Sequence, residues 1–367
     1  MNDNPVRTAI VGYGLAGSIF HAPLIAATDG LALTTVVTSN AARAAAAQQR
    51  YRDVAVVSTV DEVWRRRRDI DLVVIASPND THVPLARAAL DAGLPVVIDK
   101  PVAATAAGAD ELRTAAAERG LLVSVYHNRR WDGDFRTLQG LLDQGTLGDV
   151  HRFESRYERW RPDVDVTAWR ERADAEIAGG LLFDLGSHLV DQALTLFGPV
   201  TSVYAELAAV RSGARVDDDM FVALTHINGV RSHLWSSAVA ADLGPRLRVL
   251  GTAASYVKYG MDVQEAALRA GGTPRDPGWG AEPESAWGRL GTPGDTHPVA
   301  TQPGAYQDYY RAIRDAVRSG TPPPVTIDQA IDVMAVLEAA RRSAVAGVTI
   351  RPTGTDTSGA ETYPAHR

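Results

Sequence analysis

Cysteine is absent from this chain of 367 residues, which excludes disulfides, thiolate metal sites and a cysteine nucleophile. Long apolar runs are missing too, and the opening Met-Asn-Asp-Asn-Pro lacks the basic and apolar regions of a secretory signal. The expectation is a cytoplasmic protein with no membrane partner. Positive charge is not in excess either: the formal net charge is -7, which argues against nucleic acid as a partner. The one basic run, Arg65-Arg66-Arg67-Arg68, reads as a solvated helix end favoured by the helix dipole, not as a binding patch. What remains, 45% hydrophobic and 22% charged, is the composition of an ordinary globular protein long enough for two cores.

The first informative stretch is Ala9-Ile10-Val11-Gly12-Tyr13-Gly14-Leu15-Ala16-Gly17, an apolar strand running into a glycine turn and a helix start. Each glycine has its own task in a phosphate-binding loop. Gly12 permits the tight turn, Gly14 lets the backbone approach a pyrophosphate, and Gly17 lets the helix pack on the strand. A helix over residues 15–27 then directs its N-terminal N–H groups, Leu15 and Ala16 first, at the anion. The expected ligand is a dinucleotide.

Through residue 125, short apolar runs alternate with alanine-rich helical segments. Strands are expected at 8–11, 31–37, 54–57, 72–76, 96–98 and 121–125, with Gly93 and Gly120 ending helices. This βαβα alternation gives a doubly wound parallel sheet, with the ligand crevice at the carboxyl ends of its strands. Residues 1–125 form that domain. From 126 to 352 the strands lengthen and alternate, at 150–160, 200–210, 220–227, 230–240, 246–250 and 255–259. They imply an α+β domain with a large, mostly antiparallel open sheet, one face on helices and the other solvated or paired with another subunit. Asn228-Gly229 predicts a type I′ hairpin. Residues 271–304 are Gly- and Pro-rich but hold Trp279 and Trp287, so they read as an ordered excursion. A helix over 326–346 closes the fold, and the polar segment 353–367 reads as a disordered tail.

Three further stretches carry chemistry. In Gly179-Gly180-Leu181-Leu182-Phe183-Asp184-Leu185-Gly186-Ser187-His188-Leu189-Val190-Asp191, Asp184, His188 and Asp191 fall within about 60° of arc on one helix face. That face is either a solvated polar surface or a carboxylate-oriented general acid/base. Gly186 inside the helix costs about 1 kcal/mol relative to alanine, so something is expected to pack against it. No further soft ligand lies near, so no metal is expected. Lys100, after Val96-Val97-Ile98-Asp99 and before Pro101, faces the crevice. It either stabilises a developing alkoxide or simply pairs with Asp99. In Ser77-Pro78-Asn79-Asp80-Thr81-His82, Thr81 reads as a helix cap, while Pro78, Asn79 and His82 are candidates for contact with the cofactor.

Together Gly12/Gly14/Gly17, Pro78-Asn79…His82, Asp99-Lys100-Pro101 and Gly180…Asp184…His188 resemble the glucose–fructose oxidoreductase / inositol dehydrogenase (Gfo/Idh/MocA) family over residues 6–350. The segments Phe20-His21-Ala22-Pro23, His127-Asn128-Arg129-Arg130-Trp131-Asp132 and Phe153-Glu154-Ser155-Arg156 resemble its branch of NADP-dependent scyllo-inositol dehydrogenases. The resemblance implies a Rossmann domain followed by a domain whose open sheet makes a homodimer or homotetramer face. It also implies roles: His188 as base, Lys100 on the substrate oxygen and Asp184 orienting substrate, with Asp99 where the family usually has Glu. The expected activity is NAD(P)-dependent interconversion of hydroxyl and carbonyl on a sugar or cyclitol. Asn128, Arg129, Trp160 and Arg161 are further candidates for substrate contact. The second strand ends without an acidic residue, and Ser39 and Arg43 suit a 2′-phosphate, so NADP is preferred and NAD is the alternative. Two other readings stay open: a cofactor-binding sensor, and a glycoside hydrolase that uses its nicotinamide transiently.

Overall fold

The computed structural model describes residues 4–165, 171 and 178–353. Its first sheet contains β1 (Val6–Val11), β2 (Leu31–Val37), β3 (Ala55–Val57), β4 (Leu72–Ile75), β5 (Val96–Asp99) and β6 (Val123–Tyr126), in the order β3-β2-β1-β4-β5-β6. Every pairing is parallel. All four residues of β4 are buried, as an unbroken apolar run between two helical layers requires. The order reverses between β1 and β4, and that switch point opens the crevice. The helices α1 (Ala22–Ala27), α2 (Ala41–Arg50), α3 (Asp61–Arg65), α4 (His82–Asp91) and α5 (Ala106–Arg119) connect the strands. The cap expected from Thr81 is not made: its hydroxyl bonds the Pro78 carbonyl at 2.6 Å instead, inside a short 3₁₀ turn. Asn40 does cap α2, accepting the Arg43 N–H at 3.0 Å.

The second sheet has β7 (Val150–Glu158), β8 (Val200–Ala208), β9 (Asp219–His226), β10 (Arg231–Ser237), β11 (Leu247–Gly251), β12 (Ser255–Lys258), β13 (Gly288–Thr292) and β14 (Asp295–Val299). Their order is β14-β13-β12-β11-β7-β10-β9-β8, with β7–β10 the one parallel pair among otherwise antiparallel neighbours. Period-2 alternation sets its faces. Ser155, Leu234, Val222 and Val203 point to the core, while Arg156, Trp235, Phe221 and His233 lie on the other face. Arg156 stacks 3.9 Å over Trp235, and Phe221 meets both His233 and Trp235.

The helices α6 (Gly133–Asp143), α7 (Ser187–Phe197), α8 (Gln264–Arg269), α9 (Tyr306–Ser319) and α10 (Ile327–Ala346) complete the described elements. The last begins at a Thr326/Gln329 capping box. It packs on β8, α7, α5 and β6, tying the sheets together. No helix among the described residues is long and apolar enough to cross a membrane.

The hairpin at Asn228-Gly229 is not type I′. Gly229 has φ +88° but Asn228 is not in the left-handed region, and a type I′ turn needs both. Instead Gly229 N–H donates to the His226 carbonyl at 3.0 Å, and His226 N–H to that of Val230 at 2.9 Å. This is a three-residue loop with a glycine bulge. The 271–304 excursion is ordered as expected. Lys258 and Glu282 form a buried ion pair at 3.2 Å, Trp279 Nε1 donates to Gln307 at 3.0 Å, and β13 and β14 extend the sheet. Those two strands, α6 and α9 were not foreseen. The buried face of α9 is Tyr306, Tyr309, Tyr310, Ile313 and Ala316, a helical spacing carried mostly by tyrosines, which score as polar. The tail expectation for 353–367 falls, beyond Thr353, outside the described residues.

Candidate active site

The glycine loop has the shape a dinucleotide cradle needs. Gly12 has φ +98°, and a Cβ there would lie 2.6 Å from the Ala76 carbonyl oxygen. A Cβ on Gly17 would overlap the Gly12 carbonyl, so only glycine lets the helix lie this close to the strand. Gly14 differs: its Cβ position is open, with Arg43 Nη1 nearest at 3.8 Å. The backbone face meant for phosphate is therefore unobstructed, and a guanidinium stands beside it. Ser39 and Arg43 are both exposed at the end of β2 and the start of α2. The residues thus fit an NAD(P)-type cofactor. The expected α-helix after the loop starts as a π-helix over Ala16–His21 before α1.

From the loop the crevice opens into a cleft lined by Leu15, Ala16, Lys100, Asn128, Arg129, Asp184 and His188. Its centre is an ion pair across the two sheets. Lys100 Nζ, at the end of β5, donates to Asp184 Oδ1 at 2.9 Å and to the Asp184 carbonyl at 2.5 Å. The alternative pairing with Asp99 is not made by the ammonium; the Lys100 backbone N–H takes Asp99 Oδ1 at 2.9 Å. The Lys100–Pro101 peptide is cis. Burial opposes ionisation of the Asp99 carboxyl, but His21, Lys100 and His82 outweigh it and hold the group below its usual range.

Asp184 sits in a π-helical turn, Leu182–Gly186, that precedes α7. Wide turns of this kind recur at functional sites. Its start is held by Asp217, whose carboxylate accepts the Leu182 N–H at 2.7 Å. A Cβ on Gly180 would strike that same carboxylate. The close approach inferred from Gly186 is real, but the neighbour is Met220 Sδ of β9, 3.0 Å from a Cβ there. The solvated reading of the Asp184/His188/Asp191 face is overturned. His188 and Asp191 are buried, and Asp191 turns away from the cleft to hold Arg130 at 2.6 and 2.9 Å.

Burial first, then the positive charges of Lys100, Arg129 and Arg246 and the nearby His127 ring, push the His188 pKa well below that of a free imidazole. The ring is therefore neutral at neutral pH. Its Nδ1 is buried without a hydrogen-bond partner, leaving the other edge to the cleft. Behind it lies a buried polar network. Arg129 donates to Tyr306 at 3.0 Å and Tyr306 to Asp132 at 2.7 Å; Arg246 donates to Tyr157 at 2.7 Å and to Gln192 at 2.8 Å. Arg246 also lies 3.4 Å from Asp134.

Other expected contacts move. Asn79 lines a small pocket beside the cleft with Lys100 and Asp184, donating to the Ala178 carbonyl at 3.2 Å. His82 does not: its ring nitrogens sit 2.8 Å from the Pro101 carbonyl and 3.0 Å from that of Ser77. It pins two crevice loops together and has no nitrogen left for a cofactor. Trp160 is 58% exposed and does not line the cleft, where Arg159 does. The strand's alternation holds the signal that was missed. Phe153, Ser155 and Tyr157 face inward, so Arg159 has the cleft parity and Trp160 the opposite one. Glu265 and Arg269 of α8 also line the cleft; they come from a short helix that no motif marked.

Residues 6–127 match the model described as an oxidoreductase family NAD-binding Rossmann fold, and residues 139–351 the same family's C-terminal alpha/beta domain. The chain belongs to the Gfo/Idh/MocA oxidoreductase family, with a Rossmann domain that binds NAD(P). It is 37% identical to the scyllo-inositol 2-dehydrogenase (NADP(+)) IolW of Bacillus subtilis, over 92% of this chain and 93% of that protein. It is 42% identical to the oxidoreductase YdgJ of Escherichia coli, over 94% and 97%. Among solved structures, the oxidoreductase yvaA of Bacillus subtilis matches with a TM-score of 0.90 at 36% identity, covering 96% of this chain and 99% of that one.

Proposed function

We propose that this oxidoreductase interconverts a hydroxyl and a carbonyl on a sugar or cyclitol, with NADP preferred over NAD. The observation that carries the reading is the Lys100–Asp184 pair at 2.9 Å, beside His188 in the cleft that continues from the glycine loop. Gly12, Gly14 and Gly17 with Leu15 and Ala16 would hold the cofactor's pyrophosphate, Ser39 and Arg43 a 2′-phosphate, and Pro78, Asn79 and Lys100 would border its reactive end. The chemistry such a cofactor supplies when bound is hydride exchange.

The protein's own residues handle the proton and the charge. An ammonium has three donors, and Asp184 takes two of those on Lys100. The third is left for a substrate oxygen, where it stabilises developing alkoxide charge. Neutral His188 accepts the hydroxyl proton in the oxidative direction and returns it to the oxygen in reduction. Asp184 fixes the direction of Lys100, and Asn128 and Arg129 complete the wall around the polyol. The name of the Bacillus subtilis relative supports a cyclitol and NADP. The aromatic face of the second sheet, with Phe221, His233 and Trp235, supports assembly into a homodimer or homotetramer through that sheet.

The test is reduced-nicotinamide absorbance with NADP+ and NAD+ separately, against scyllo-inositol, myo-inositol and common aldoses. Turnover faster with NADP+ is expected. Silence across the panel despite tight cofactor binding would contradict the reading and favour a sensor. Release of sugar from an aryl glycoside without net reduction would favour the hydrolase.

A further inference from the structure

Four cations line the cleft: Lys100, Arg129, Arg159 and Arg269. Three of them have carboxylate partners. Lys100 holds Asp184, while Arg129 and Arg269 hold opposite oxygens of Glu265 at 2.5 and 2.9 Å. Asp99, the remaining anion of the lining, is engaged by His21 and by the Lys100 N–H. Arg159 stands apart. Among the described residues its guanidinium has no hydrogen bond and no ion pair, and its surroundings act on it only through space. Among the described residues, the lining therefore carries one positive charge that no carboxylate neutralises.

That charge is costly where it sits. Burial pushes the Arg159 guanidinium down from its ordinary value, and Arg161 and Arg129 add like-charge repulsion; Asp184 and Glu265 offset part of this from a distance. Arginine does not give up its proton in a protein, so it stays a cation short of water and short of a counter-ion. Its four electrostatic neighbours all belong to the chain from residue 129 onward. Its backbone is anchored to β10, donating to the Ser237 carbonyl at 2.8 Å. The guanidinium thus joins the cleft lining from the second domain, with Arg129, Asp184 and Glu265. A planar fork of donors is the side chain best matched to a carboxylate or phosphate.

We propose that Arg159 anchors an anionic group on the substrate, so that the cleft takes a sugar acid or a sugar phosphate in preference to a neutral polyol. This rests on the dehydrogenase reading for the placement of substrate beside His188 and Lys100. The anion completes the Arg159 ion pair at one end of the molecule while the reacting hydroxyl lies against Lys100 at the other.

The experiment is calorimetric titration of the full chain, saturated with NADP+, with D-glucuronate, D-glucose 6-phosphate and D-glucose. Wild type, Arg159→Gln and Arg159→Lys are compared, each checked for thermal unfolding. The wild type is expected to bind at least one of the anions about tenfold or more tighter than glucose. Arg159→Gln should lose that preference and Arg159→Lys keep part of it, with unfolding temperatures unchanged. Preference for glucuronate identifies a carboxylate, and preference for the 6-phosphate a phosphate. Equal binding of all three by the wild type overturns the proposal. So does an Arg159→Gln variant that keeps the preference and loses stability instead. Turnover is read separately: selective anion binding without turnover of the bound anion or of any neutral polyol would sink the dehydrogenase reading and leave the anchor standing. Turnover of neutral polyols with no anion preference would do the reverse.

Discussion

At the cofactor end of the cleft, Gly12, Gly14 and Gly17 shape the site by lacking side chains; at the substrate end, Lys100, Asp184, Arg129, Glu265 and Arg246 shape it by paired charge. The first kind of site is local. It needs a strand, a turn and a helix adjacent in sequence, and its geometry is set by backbone sterics. The second kind is assembled from β5, the Leu182–Gly186 turn, the 3₁₀ turn Asn128–Trp131, β11 and α8, which meet only after both sheets form. Substitutions should therefore separate cleanly. Changes around the glycine loop act on cofactor binding with little effect on stability at exposed positions. Changes in the charged network act on turnover or on the fold.

The largest effect is expected from His188→Ala, which removes the proton acceptor. Turnover should fall by about 10²–10⁴-fold, with circular dichroism and cofactor binding retained. A variant within a few-fold of wild type would assign the proton to another group. Next, Arg246→Met deletes one partner of a buried charge pair and leaves Asp134 uncompensated. It should cost about 3–5 kcal/mol in a denaturant titration. An unchanged midpoint would show that the network behind His188 is not part of the core.

Acid should weaken the fold through buried histidines. Burial pushes His127 and His226 down to about 4, against 6.5 in the unfolded chain. Between those values the unfolded state binds protons that the folded state refuses. Stability is then full above pH 6.5 and falls as pH drops toward 4, by about 1.4 kcal/mol per pH unit for each histidine. Denaturant midpoints that stay flat between neutral pH and about pH 5 would contradict this. The smallest effect should come from Arg43→Gln at the exposed rim of the glycine loop. The KM for NADP+ is expected to rise about tenfold, while the KM for NAD+ and the unfolding temperature stay unchanged. Equal loss for both cofactors would move the 2′-phosphate contact elsewhere.

The same contrast explains how much of the molecule is legible in its sequence. Strand positions in the first sheet were legible to within a residue or two, because buried parallel strands are apolar runs bracketed by helix caps. The glycine roles followed from their spacing. Lys100, Asp184 and His188 were legible as candidates but not as a cluster, since nothing local says that Lys100 reaches Asp184 across 84 residues. Asp191 looked like a third member of the triad. It proved to be a buried partner of Arg130, a contact between distant elements that helical periodicity cannot encode. His82 misled for the opposite reason: a polar residue in a crevice loop suggests a ligand contact, yet two backbone carbonyls claim its nitrogens. Trp160 was a candidate and Arg159 was not, although strand parity points to Arg159. Glu265 carried no signal at all, because an acid four residues from Arg269 on a short helix reads as a surface pair until the fold brings Arg129 to it.

The most direct test of the central claim, that cofactor binding and proton–charge chemistry are separate halves of one cleft, is Lys100→Ala. Its NADP+ dissociation constant and its turnover would be measured on the same preparation with the best substrate of the polyol panel. The account predicts a dissociation constant within a few-fold of wild type and turnover lower by about 10²–10³-fold. Loss of cofactor binding in step with turnover, or turnover left intact, would contradict it.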